Sequence, residues 1–210
     1  HRLLFYFLMD KNDLISHSFY SLPRQGYRKN IKNSIVETLG EDIWERINVT
    51  SEDVDNSLDN LPLSLEKNFE RKNINTSPII PELFKKSLIS LVTETNFYEE
   101  AIHVTEKTYK PLSFEHPFIL IASAGTLKYL HYLGFMTFSA WWDESYDDIQ
   151  DPTERLLHIT KIVKEIHNWP IGKKLSFIEE VKSVTKHNKM LVETMKKQHH
   201  VYSNLKDYLK

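Results

Sequence analysis

The sequence predicts an α/β fold: a doubly wound parallel sheet with flanking helices, followed by a long C-terminal helix. Three observations predict it. "SLISLVTET" (87–95) and "HPFILIAS" (116–123) are short, nearly uncharged apolar runs, the pattern of strands buried on both faces. One capped helical segment lies between them and another follows, the order of right-handed strand–helix–strand crossovers. Beyond Pro170, apolar residues recur every three or four positions as far as Leu209, the spacing of a long amphipathic helix.

The elements follow in order. Leu3 and Phe7, then Leu4 and Leu8, stand four apart in "HRLLFYFLMDKND", which predicts a helix. "SHSFYSL" (16–22) reads as a brief strand stopped by Pro23 and Gly26. Ile31, Ile35, Leu39, Ile43 and Ile47 recur every four residues, giving amphipathic helices broken near Gly40. "TSEDVDNSLDNLP" has capping chemistry and little apolar mass, so 48–80 is expected to be an irregular, partly helical insertion. "AGTLKYLHYLGF" predicts a helix closed by Gly134, and "FMTF" (135–138) a third strand. In "DPTER", Asp151 is an N-cap, Pro152 the first helical residue and Glu154 the partner in a capping box. The expected division is a domain over 1–170 and a helical segment over 171–210.

The last helix carries Phe177, Val181, Val184, Asn188, Leu191, Met195, Tyr202, Leu205 and Leu209 along one seam. Two readings stand: packing on the chain's own body or a missing domain, or a homodimer contact through 177–209 with Asn188 setting register.

Composition limits the function classes. A net charge of -2 over 210 residues supplies no basic field for nucleic acid. "RQGYRKN" and "EKNFERKN" read as solvated surface, with Arg24 and Arg28 as reserve phosphate contacts. The absence of cysteine excludes disulfides, thiolate metal sites and cysteine nucleophiles, and fits a reducing compartment. No apolar run reaches the roughly 20 residues of a membrane helix. GxGxxG, P-loop, HExxH and GxSxG patterns are all missing. The chain begins without Met inside an apolar segment, so a piece of a longer protein is expected. Asp143, Glu144, Asp147, Asp148 and Asp151 could suit a hard cation, but their spacing is no EF-hand. A solvated loop anchored by Trp141 and Trp142 is expected there, with no metal; those indoles could also stack an acceptor sugar.

The chemistry concentrates in "HVTEKTYKPLSFEHPFILIAS" (103–123). Thr105 is a good N-cap, and free N–H groups at such a helix start favour an anion. Lys107 sits where the helix dipole disfavours a cation, unless a phosphate is bound there. Glu106 could then accept from ribose hydroxyls. The plain alternative is a surface Glu–Lys pair of little energetic worth. His103 could approach a ligand at this turn, whereas His116, before Pro117, reads as structural.

"VTEKTYKPL" resembles the Thr-Glu-Lys signature of the α1,3-fucosyltransferase family, a GT-B group. "LVTETNF" stands where that family has a strand ending in Phe-Glu-Asn-Ser, with Glu94 matching the acid and Thr95 replacing Asn. "HRLLFYFL...HSFYSL" is similar to an earlier helix and strand, with Arg2 at the family's Arg. "WWDESYDD" and "DPTER" resemble a group of viral and microbial relatives. The resemblance touches about Arg2 to Phe138, and only Glu94 to Phe118 is motif-like.

It implies a Rossmann-like C-terminal domain that binds a nucleotide sugar, GDP-fucose by inheritance, for inverting transfer to a glycan or other hydroxyl acceptor without a required metal. Lys107 and Arg2 would hold the pyrophosphate, Glu106 the ribose, and Glu94 would line the donor pocket; Thr105 and Tyr109 complete the site. The general base would sit in an N-terminal domain. The expected setting is a bacterial, phage or host cytoplasm, with the Golgi lumen left open. The alternative is a non-catalytic nucleotide- or sugar-binding or assembly module.

Overall fold

The computed structural model describes residues 1–20, 22, 31–61 and 81–208, with side chains described up to Gln198. The elements are α1 (Arg2–Lys11), α2 (Ile31–Leu39), α3 (Ile43–Arg46), α4 (Ser51–Asp59), α5 (Pro81–Lys86), β1 (Ser90–Thr93) and α6 (Glu106–Ser113). There follow β2 (Phe118–Ile121), α7 (Thr126–Tyr132), a 3-10 turn at Ser145–Asp148, α8 (Pro152–His167), α9 (Ile171–Glu180) and α10 (Lys182–Tyr208). The class is α/β, mostly helical, with a small parallel sheet and a long C-terminal helix. The chain divides into two compact units that interleave in sequence: His1–Ile79 with Asp151–Asn168, and Ile80–Gln150 with Trp169–Lys210.

In the first unit, α1 is buried all round: Leu3 through Met9 are each no more than 6% exposed. A helix apolar on every face must be surrounded, and α1 packs against both α4 and α8. The Tyr6 hydroxyl donates to the Ser57 carbonyl (3.1 Å), and the Ser57 hydroxyl donates to Asp10 (2.6 Å). Thr50 and Asp53 form a reciprocal capping box on α4. Asp151 caps α8 through the Glu154 N–H (2.8 Å), while the Glu154 carboxylate accepts from Arg46 (3.3 Å).

The segment 16–20 is not the expected strand, and Leu22 makes only an isolated bridge. Serine chemistry competes with extension: the Ser18 hydroxyl donates to the Leu14 carbonyl and Ser16 to Asp13. The insertion is regular helix over α4; its remainder from 62 to 80 lies outside the described residues.

In the second unit, β1 and β2 pair in parallel, Ser90 opposite Phe118 through Thr93 opposite Ile121. Every residue of β2 is buried, but in β1 only Val92 is. β1 has one described neighbour, so it is less covered than the expected doubly buried strand. His116 ties the approaches of the two strands together. Its Nε2–H donates to the Ser87 carbonyl (2.9 Å), leaving Nδ1 to accept from the Ser90 hydroxyl (2.9 Å).

"FMTF" is not a strand. Side chains satisfy its backbone instead. Asn188 accepts from the Met136 N–H and donates to the Met136 carbonyl, both at 2.8 Å, while Glu144 accepts from the Phe138 N–H (2.8 Å). Asn188 is 1% exposed, so it is spent inside its own unit rather than on register with a second helix. Phe177, Val181, Val184 and Val192 are buried with it, and α10 packs on α6. The break between the last two helices falls at Val181; Gly172 lies inside α9. Tyr202, Leu205 and Leu209 lie outside the described side chains.

Two outcomes test these anchors. Asn188→Ala strands both Met136 backbone groups and should cost about 1–3 kcal/mol in urea unfolding; a change within error would place those groups in water instead. Burial holds the His116 imidazole below its ordinary 6.5, against carbonyls that favour its charge. The unfolded chain therefore takes up that proton first, and stability falls as pH drops below about 6.5. His116→Gln should lose this portion of the decline as pH falls through about 6.5, and an unchanged slope would contradict it.

Candidate functional site

The start of α6 lies at the carboxyl end of β1, where open α/β sheets bind ligands. α6 is a poor helix on its own terms: eight residues with Pro111 inside, and an interior proline costs a helix roughly 3 kcal/mol. Tertiary contacts hold it. Thr108, Pro111 and Leu112 form its buried stripe.

Glu94, the first residue after β1, is 0% exposed. Its N–H donates to the Ile121 carbonyl (3.0 Å), which extends the sheet ladder by one bond. Its carboxylate accepts from the Thr105 N–H (3.0 Å), the Thr105 hydroxyl (2.6 Å) and the Thr108 hydroxyl (2.5 Å). One buried acid thus fixes the N-cap and the first turn together. Charge-assisted bonds of this length are the strong ones.

Thr105 turns its hydroxyl oxygen to the Lys107 N–H (3.3 Å) and also accepts from the Lys107 ammonium (3.1 Å). That ammonium reaches the Thr95 hydroxyl (3.3 Å) and lies 3.6 Å from the Glu106 carboxylate. Burial works to raise the Glu106 pKa, but its own N–H, Lys107 and the Thr105 hydroxyl outweigh burial and hold it below the ordinary value. Glu106 and Lys107 are half-exposed, with side chains 51% and 31% accessible. The turn therefore presents a carboxylate and an ammonium over a rigid, buried base. Tyr109, on the next turn, is half-buried, edge-on to Phe135 at 6.3 Å; burial, then Tyr129, raises its pKa. Arg2 opens α1 in the first unit, whereas the other five candidates belong to the second. His103 is exposed and His116 structural. Arg24 and Arg28 lie outside the described residues.

The second helix start at this end of the sheet is already filled. Asp147, 6% exposed, accepts from the Leu127 and Lys128 N–H groups at 3.0 and 3.1 Å. Burial nonetheless raises its pKa. Its neighbours are committed too: Glu144 to Thr137 and Phe138, Asp143 to Ser145. The acidic run therefore has two sides: Asp143, Asp148 and Asp151 are exposed, as expected of a solvated loop, while Asp147 and Glu144 turn inward to backbone N–H groups. Among the described residues no cluster of three or more His, Asp or Glu could hold a metal ion. Trp142 is buried, and both indoles pack on Phe177. No helix among the described residues is long and apolar enough to cross a membrane.

Thr108 escaped the sequence reading. Its signal was present: a second hydroxyl three residues after the cap falls on the face turned toward Glu94.

Comparison of the chain with protein-family models, with curated proteins and with solved structures found no match.

Glu94→Gln replaces an acceptor-only group with one that turns an N–H₂ toward donors. Chemical denaturation should show a loss of about 2–4 kcal/mol. A loss below about 0.5 kcal/mol would mean that the carboxylate does not anchor α6.

Proposed function

We propose that this chain is the donor-binding part of a GT-B glycosyltransferase similar to the α1,3-fucosyltransferases, with β1, α6 and β2 belonging to a Rossmann-like domain. The observation that supports the reading best is the α6 start: a helix N-terminus at the carboxyl end of a parallel strand, held by buried Glu94 and carrying Lys107 and Glu106 half-exposed. Lys107 leaves its contacts with Thr95 and Glu106 for the donor diphosphate, and Glu106 turns to the ribose. Charge grows on the diphosphate as the glycosidic bond breaks, so a fixed cation and the helix N–H groups stabilise the transition state there. Glu94 acts through the helix rather than on the sugar. Arg2 as a second diphosphate contact, and Tyr109 beside the nucleotide, rest on the resemblance. Transfer is inverting, to a glycan or other hydroxyl acceptor, with the general base in another domain and no metal required. The cytoplasm is the proposed setting. A homodimer through 177–209 would have to use the seam beyond Val192, because the earlier part is buried in its own unit.

One observation favours the second reading, a non-catalytic binding or assembly module: the Lys107 ammonium already has three partners. Thermal denaturation with nucleoside diphosphates separates a donor site from a sugar-binding or assembly module without one. The transferase reading expects GDP, and not UDP, to raise the midpoint by about 5–10 °C at a hundredfold excess over Kd. Lys107→Ala should abolish that rise without lowering the ligand-free midpoint by more than about 4 °C. No rise with any nucleoside diphosphate would sink the donor site and leave the module.

A further inference from the structure

A cleft in the first unit, of about 440 Å³, is lined by Trp44, Glu45, Asn48, Lys32, Ser51 and Val54 among others. That volume lies within the range of small-molecule sites. Trp44 differs from the other tryptophans: Trp141, Trp142 and Trp169 all pack on Phe177. Trp44 is half-exposed at the cleft. The side chains of Trp44, Glu45 and Asn48 make no hydrogen bond to any described residue. An indole face, an indole N–H, a carboxylate and a carboxamide are therefore available together.

The frame beneath them is rigid. α3 closes in a Schellman turn: the Val49 N–H donates to the Trp44 carbonyl (3.1 Å), the Asn48 N–H to the Glu45 carbonyl (3.0 Å), and Asn48 adopts φ 50°. Two residues later Thr50 caps α4. Ile43, Ile47, Val49 and Val54 pin this corner to the core, none more than 4% exposed. Lys32 closes another side, its ammonium on the Ser51 hydroxyl (2.7 Å) and Asp55 (2.7 Å).

We propose that this cleft is a carbohydrate-binding subsite: one sugar ring lies on the Trp44 indole, with its hydroxyls donating to Glu45 and bonded to Asn48. The apolar face of a pyranose matches an indole, and vicinal hydroxyls match a carboxylate and a carboxamide, which together offer acceptors and donors. An apolar ligand would leave those polar groups unpaired, and a free anion would face Glu45. The proposal is independent of the donor reading, since no residue is shared.

The test is NMR titration of the Trp44 indole N–H, assigned with Trp44→Phe, against glucose, galactose, fucose, N-acetylglucosamine and N-acetylgalactosamine. Benzyl alcohol and inorganic phosphate serve as controls. At least one sugar should shift the signal saturably, and Asn48→Gly should weaken it by about tenfold. Glycine keeps the left-handed turn, so the variant should melt no lower than wild type. The proposal is overturned if no sugar gives a saturable shift, if Asn48→Gly binds equally well, or if a control reproduces the shift.

Discussion

The second unit depends on one buried carboxylate. Glu94 takes a backbone N–H and two threonine hydroxyls from the helix that follows β1, all within 3.0 Å. Without those bonds α6 is a short, proline-containing helix with little reason to form. With them, its first turn is fixed to the end of the sheet, and β1 and α10 pack against it. A buried acid of this kind is costly unless every donor is in place, so the arrangement specifies one geometry as well as stabilising it.

The same device recurs. Asp147 holds the start of α7, Glu144 and Asn188 the peptide groups of 136–138, and Asp53 and Asp151 the starts of α4 and α8. Polar side chains thus do work that further strands would do in a larger sheet. Both helix starts at the carboxyl end of the sheet are met from within the protein. At α7, Asp147 accepts from the Leu127 and Lys128 N–H groups. At α6, Glu94 accepts from the Thr105 N–H, the Thr105 hydroxyl from the Lys107 N–H, and Glu106 from its own N–H, with the Lys107 ammonium beside them.

Much of this was legible in the sequence. The spacing of Leu3, Leu4, Phe7 and Leu8 marked α1, Gly40 and Gly134 marked helix ends, and Asp151 marked a helix start, because periodicity and caps are local. "HPFILIAS" was read correctly as buried because its whole core is apolar. "FMTF" was misread because a short apolar run does not reveal what pairs with its backbone; Asn188 lies 52 residues away. "SHSFYSL" failed for the opposite reason, since its serines capture the backbone within four residues. The exposed Asp143, Asp148 and Asp151 fit the solvated reading of the acidic run, but sequence does not show that Asp147 and Glu144 face N–H groups. At the candidate site, Thr105, Glu106 and Lys107 stood out from local capping rules. The grip of Glu94 did not, because its partners Thr105 and Thr108 lie 11 and 14 residues away. Trp44 was hidden among amphipathic positions, and only the cap geometry on either side exposes it.

The central claim is that the α6 start receives a nucleoside diphosphate. Backbone amide shift mapping with GDP tests it most directly. The account predicts that the largest perturbations fall on Thr105 to Thr108 and on Thr95. Perturbations elsewhere that leave these amides unchanged would contradict it.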